Sequence, residues 1–148
     1  MIRSDLLVSL EGAWTIARTI EPSGSLAGTA RFARRPDGLI DYIERGELEF
    51  DGGRFATERR YLFEPRETGF AVFFPGEPRR LFHEVVLAPA ADGAIVGAAT
   101  HPCGPDMYFS TYRFAGDGFT ITHRANGPRK NYTLVTRYTR AAAREEAA

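Results

Sequence analysis

The chain has 148 residues, 43% of them apolar and 12% aromatic, with 19 basic side chains balanced by 19 acidic ones. That length suits one domain burying roughly 68–70% of its unfolded surface, and the composition excludes a disordered chain. A pI near 6.8 excludes the global basic field that gathers nucleic acid or anionic lipid.

Residues 4–10 read as a single helical turn, with Ser4 as its N-cap and Gly12 ending it. Leu6-Leu7-Val8 lies between Asp5 and Glu11, too short and too acidic for a signal-peptide core. No run approaches the ~20 apolar residues of a membrane span. Cys103 is the only cysteine, so no intramolecular disulfide forms and no oxidising compartment is implied. A soluble cytoplasmic protein is expected.

From Trp14 onward, short alternating stretches are cut by turn signals. These include Pro36-Asp37-Gly38, Asp51-Gly52-Gly53, Glu67-Thr68-Gly69, Pro75-Gly76, Asp92-Gly93, Pro102 to Pro105, Asp117-Gly118 and Asn126-Gly127-Pro128. Strands are predicted near 13–20, 27–34, 39–50, 54–63, 69–74, 80–88, 94–100, 107–114, 119–125 and 130–139. No segment is long enough for a helical crossover, so a parallel sheet is not expected. The fold predicted is all-β: an up-and-down antiparallel β-barrel of about ten strands, one domain over residues 1–140. A flexible or helical tail is expected over residues 141–148.

Period-2 alternation sorts the faces. Ile40, Tyr42, Glu44, Gly46, Leu48 and Phe50 share one side of the third strand, the side that belongs inside. Phe55, Thr57, Arg59, Tyr61 and Phe63 share the inner side of the fourth. Arg18 goes inward with Trp14, Ile16 and Ile20, and Asp106, Tyr108, Ser110, Tyr112 and Phe114 line another inner face. The parity of His83 is ambiguous. Charges out of water must be paired or must meet a charged guest. Arg18 and Arg59 against Glu44 leave one guanidinium in surplus. Two readings follow: a structural ion-pair network, or a pocket in which that cation and the Tyr hydroxyls receive an anionic or polar head group.

Lys130 is the only lysine, all other basic residues being Arg. GC-rich coding explains the bias generally, while planar guanidinium forks for anions explain it at one or two sites.

The segment Leu10-Glu11-Gly12-Ala13-Trp14-Thr15-Ile16 resembles the Gly-x-Trp opening of the calycins, the superfamily of lipocalins and fatty-acid-binding proteins. The resemblance implies a barrel whose Trp14, after Gly12, closes one end beneath an Arg of the last strand, here Arg137 or Arg140. Phe82-His83, His101 to Tyr108, and Gly127 to Tyr132 resemble a bacterial family of unknown function with a lipocalin-like fold. That likeness implies a fold and no activity. Arg137 and Tyr138 are adjacent, unlike the Arg-x-Tyr carboxylate grip of fatty-acid-binding proteins. No room for a helical lid exists between Ile20 and Ala27. A long-chain fatty acid is therefore not the expected ligand.

His101, Cys103 and Asp106 lie close in sequence, but the intervening prolines and glycine write a turn, and no metal or cofactor is expected. His83, His101, Asp106 and His123 are the candidates for general acid–base work, as in an isomerase, cyclase or lyase. The ligand-binding candidates are Arg18, Tyr42, Glu44, Arg59, Tyr61, Tyr108 and Tyr112, with Arg129 and Lys130 either steering anions at the mouth or forming an exposed turn. The leading expectation is an intracellular barrel binding a small polar or anionic organic molecule, with no nucleic-acid or membrane partner. The alternative is a cofactor-independent enzyme using the interior acid–base groups. A protein-interaction module ranks last, because the outward faces read polar.

Overall fold

The computed structural model describes residues 4–141. After the helical turn α1 (Ser4–Ser9) come β1 (Gly12–Glu21), β2 (Ser25–Arg34), β3 (Ile40–Phe50), β4 (Gly53–Arg66) and β5 (Gly69–Phe74). They are followed by β6 (Arg80–Pro89), β7 (Ile95–Cys103), β8 (Asp106–Ala115), β9 (Gly118–Asn126) and β10 (Asn131–Arg140). Each strand pairs antiparallel with the next, and β1 pairs with β10, closing a barrel. The capping role expected of the Ser4 side chain and the tail over 142–148 lie outside the described residues.

The turns are set by local chemistry. Asp37 Oδ1 accepts from Leu39 N at 3.0 Å and Asp92 Oδ1 from Ala94 N at 3.1 Å, each a side chain standing in for a backbone turn. At Gly104-Pro105, Cys103 pairs with Asp106 and Gly104 takes φ +61°. Positive φ followed by proline's fixed negative φ fits the two-residue hairpin turn.

Alternation places these predicted inner residues inside: Trp14, Ile16, Ile40, Tyr42, Phe63, Tyr112 and Phe114 are all buried, and Phe32 and Tyr138 join them. Three expectations need correction. Phe50 and Phe55 have the right parity, yet stand 48% and 51% exposed, because the β3–β4 hairpin overshoots the rim. β7 continues through Pro102 to Cys103 instead of ending at residue 100. Its ladder with β6 spans only Val86–Pro89 against Ile95–Ala98, so Pro102's missing N–H breaks no pairing with β6. β4 is also longer than expected, reaching Arg66.

The barrel interior has three levels. At the α1 end, Leu7 and Leu10 cap a plug of Trp14, Phe32, Phe63, Phe70, Phe114 and Phe119. A polar belt crosses the middle. At the far end the wall is incomplete. β5 reaches β4 only over Leu62–Arg66, so the first half of β4 has no partner on that side. The interior is thus solid at one end and open at the other.

Candidate functional site

The belt is built around Glu44, which is 2% exposed. Arg18 meets it edge-on, Nη1 donating to Oε2 at 2.9 Å and Nη2 to Oε1 at 2.7 Å. Arg18 Nε donates to Thr136 Oγ1 at 2.6 Å. Tyr42 donates its hydroxyl to Glu44 Oε1 at 2.8 Å and lies 2.7 Å from the Tyr138 hydroxyl. Since Tyr42's proton is spent on Glu44, Tyr138 is the donor in that last bond. Burial alone would push the Glu44 carboxyl up, but the Arg18 fork outweighs it, helped by the Arg59 charge and the Tyr42 hydroxyl, and holds it below its ordinary value. Burial likewise opposes the charge on Arg18, and Glu44 more than restores it. The result is a satisfied, net-neutral ion pair.

Arg59, the second inward cation, is different. It is half-buried, and among the described residues it makes no ion pair. Directly around the belt only about 20 Å³ of space remains, roughly enough for one water. Above it, toward the open end, lies a cavity of about 290 Å³ walled by Arg59, Tyr61, Phe74, Arg80, Phe82, His101, Cys103, Tyr108, His123, Ala125, Tyr132 and Leu134. The walls are largely aromatic. Tyr61 and Phe82 stack at 5.8 Å between centroids, Phe74 packs on Phe82 at 5.0 Å, and His101 stacks on Tyr108 at 6.2 Å. Burial raises the Tyr61 hydroxyl against the pull of Arg59, so it remains a donor at neutral pH.

Two histidines complete the belt. His83 lies 2.7 Å from the Tyr112 hydroxyl through Nε2, while its Nδ1 is buried without a partner. Burial, then the nearby His101, lower its pKa to about 4. His123 Nδ1 lies 2.7 Å from Ser110 Oγ. Burial, then the charges of Arg59, His83 and Arg18, lower His123 to about 3. Both rings are neutral at pH 7.

A bulge resolves the parity of His83. Val72 pairs with His83 but Phe73 pairs with Leu81, so Phe82 is the extra residue, and both Phe82 and His83 turn inward. No alternation rule reaches that arrangement.

Of the residues singled out in the sequence, Arg59, Tyr61, Tyr108, His101 and His123 meet at the cavity wall. Arg18, Tyr42, Glu44 and Tyr112 lie beneath it in the belt. Arg129 and Lys130 are exposed and stand off the wall; Lys130 Nζ donates to the Tyr108 hydroxyl at 2.8 Å and sits 3.7 Å from Asp106. His101, Cys103 and Asp106 form no metal cluster; among the described residues no three His, Cys, Asp or Glu side chains gather to hold an ion. Arg140, not the exposed Arg137, lies over the Trp14 ring at 4.1 Å. It also donates to the carbonyls of Ser9 and Glu11 at 2.6 and 2.8 Å, tying α1 to the barrel. Phe74, Arg80, Phe82, Ala125, Tyr132 and Leu134 are cavity residues the sequence reading missed. Tyr132 and Leu134 share parity with Tyr138, so alternation carried back along β10 reaches them.

The chain belongs to a family of unknown function, DUF6314, whose model it matches over residues 10–140. Among curated proteins none matches. Among solved structures it is similar to a redesigned β-barrel, mFAP1, bound to DFHBI, with 15% identity and a TM-score of 0.45 over 95% of this chain and 100% of that one. A second, EF1p2_mFAP2b bound to DFHBI, has 14% identity and a TM-score of 0.48 over 93% and 98%. No described helix is long and apolar enough to cross a membrane.

Proposed function

We propose that this protein is a binding barrel for a small polar or anionic organic molecule, received in the mouth cavity by Arg59 and the wall hydroxyls. One observation carries the reading: Glu44 is fully engaged by Arg18, while Arg59 lines the cavity without an ion-pair partner among the described residues. A half-buried cation left without a partner is unfavourable for folding. A small-molecule site sets a few polar groups among apolar walls, and a cation so placed suits a guest that supplies the missing charge. The cavity is near the lower edge of the ~300–1,000 Å³ typical of small-molecule sites, which favours a compact guest.

Kinship with the calycins belongs to the same proposal, supported by Gly12-x-Trp14 and by Arg140 over the indole at 4.1 Å. So do a bacterial, cytoplasmic setting, a single domain over residues 1–140, and the lack of a membrane partner. The last is supported by outward charges such as Arg45, Glu58 and Arg60, which a lipid-facing wall would not carry. Acid–base catalysis is the weaker reading. His83 and His123 have pKa values near 4 and 3, far from the neutral range where proton transfer is efficient.

Thermal unfolding of the full chain against a panel of organic acids, neutral isosteres and amines tests the proposal. Saturable stabilisation by acids that Arg59→Met loses is expected. No stabilisation by any compound, or equal stabilisation of the variant, contradicts it.

A further inference from the structure

The Ser110–His123 pair fixes which proton faces the cavity. Ser110 is 2% exposed, and its hydroxyl has one hydrogen-bond partner among the described residues, His123 Nδ1 at 2.7 Å. A buried hydroxyl must place its proton on an acceptor or lose a hydrogen bond. Ser110 therefore donates, Nδ1 accepts, and the single proton of the neutral ring sits on Nε2. His83 Nδ1 is the one described side-chain nitrogen or oxygen that is sealed from space without a partner. His123 Nε2 is thus not sealed, and the ring borders the cavity. The cavity is lined by two kinds of donor, the Arg59 guanidinium and a neutral imidazole N–H, and by no carboxylate among the described residues.

The charge count limits the guest. Arg18 and Glu44 cancel, so Arg59 leaves one positive charge to be met by one negative charge. Arg80, the other wall cation, is exposed and lies over Phe74 at 5.0 Å, where water solvates it. The walls limit the shape. Tyr61, Phe82 and His101 present ring faces and edges within a volume of about 290 Å³, too little for a long flexible chain and well suited to one or two fused rings.

We infer, resting on the binding reading above, that the ligand is a planar aromatic monocarboxylate, its carboxylate held by Arg59 and the Nε2–H of His123 and its ring among Tyr61, Phe82 and His101. His123 then serves as a donor held in one tautomer by Ser110, not as a base.

Titration calorimetry at pH 7 on the full chain tests this with 2-naphthoate, 2-naphthamide, cyclohexanecarboxylate and inorganic phosphate, alongside ¹⁵N spectra of the imidazoles. 2-Naphthoate should bind about tenfold or more tightly than 2-naphthamide, as a charge-assisted pair requires. It should also exceed cyclohexanecarboxylate, and phosphate should not compete with it. Ser110→Ala should weaken 2-naphthoate several-fold while leaving the amide unchanged. Arg59→Met should erase the preference for the acid; Arg59→Lys, a second variant should the first fail to fold, should keep part of it. The spectra should show His123 protonated at Nε2. Equal affinity for acid and amide, competition by phosphate, or a proton on Nδ1 overturns the inference while leaving a binding barrel in place. If neither naphthyl compound binds and neither slows alkylation of Cys103 at the cavity wall, the binding reading falls with it.

Discussion

Glu44 and Arg59 are neighbours across the β3–β4 ladder, and their environments make opposite demands on the fold. Glu44 is held by two Arg18 bonds and the Tyr42 hydroxyl, so Glu44→Gln strands a buried guanidinium and should destabilise by about 3–5 kcal/mol. Arg59→Met breaks no ion pair among the described residues, and its midpoint in urea should stay level or rise. Parallel denaturation curves of the two variants check the contrast. A large loss in Arg59→Met would mean that Arg59 is structural.

The histidines give the fold an acid limit. Unfolded imidazoles protonate near pH 6.5, whereas folded His83 and His123 resist until about 4 and about 3. Below pH 6.5 the unfolded chain therefore binds more protons. Stability, complete above that pH, falls by up to about 1.4 kcal/mol per pH unit for each ring as pH drops toward the folded values. Glu44, held below its ordinary value in the fold, adds a further loss once pH passes below 4.5. Urea midpoints between pH 7.5 and 4.5 should show this early decline, and His83→Gln should flatten it. A level profile down to pH 5 would contradict the depressed values.

Residue parity made much of this legible. Arg18, Glu44, Arg59, Tyr61 and Tyr108 follow from alternation alone, because each lies in an unbroken stretch of strand. His83 and Phe82 do not, because a register shift between Val72 and Phe73 turns two successive side chains to one side. The Ser110–His123 bond was equally out of reach, since it depends on the register of β8 against β9, which pairs Ser110 with His123.

At the scale of elements, strands β2 and β3 pinch where Gly28 pairs with Gly46. A Cβ on Gly28 would collide with the Arg45 carbonyl oxygen and stand 2.6 Å from the Gly46 Cα. Backbone cannot yield as a side-chain tip can, so Gly28→Ala should destabilise by about 2 kcal/mol or more. Gly38→Ala meets no atom within 4 Å but takes strained φ at +89°, and should be milder. Thermal unfolding of both variants separates steric collision from backbone strain.

The Arg140 clasp is the other element-level device. It joins the last strand to the first through Trp14, to α1 through the Ser9 carbonyl, and to the link after α1 through the Glu11 carbonyl. Its truncation to Ala should remove about 1–3 kcal/mol and raise amide exchange in α1 first. The choice between Arg137 and Arg140 hung on register, since Trp14 pairs with Arg140 while Arg137 pairs with Ala17. Overshoot at the rim, as at Phe50 and Phe55, has the same origin: alternation gives the face of a residue but not its height in the barrel.

Across the whole molecule, the two ends of the barrel differ in how they are filled. The α1 end is packed with aromatic rings around Trp14 and Phe119, 4.8 Å apart, and its hollow of about 490 Å³ is a groove between α1 and the β8–β9 turn. The far end has short β5 and a brief β6–β7 ladder, leaving room above a polar floor. A barrel filled throughout would need neither the belt nor an inward Arg59 without an ion-pair partner among the described residues. The central claim is that Arg59 is completed by a guest and not by the protein. Native mass spectrometry of the freshly expressed full chain, beside Arg59→Met, puts it to the most direct test. The wild-type protein should carry a small acidic molecule that is released on denaturation and absent from the variant. Identical adducts on both proteins would show that Arg59 does not hold the guest.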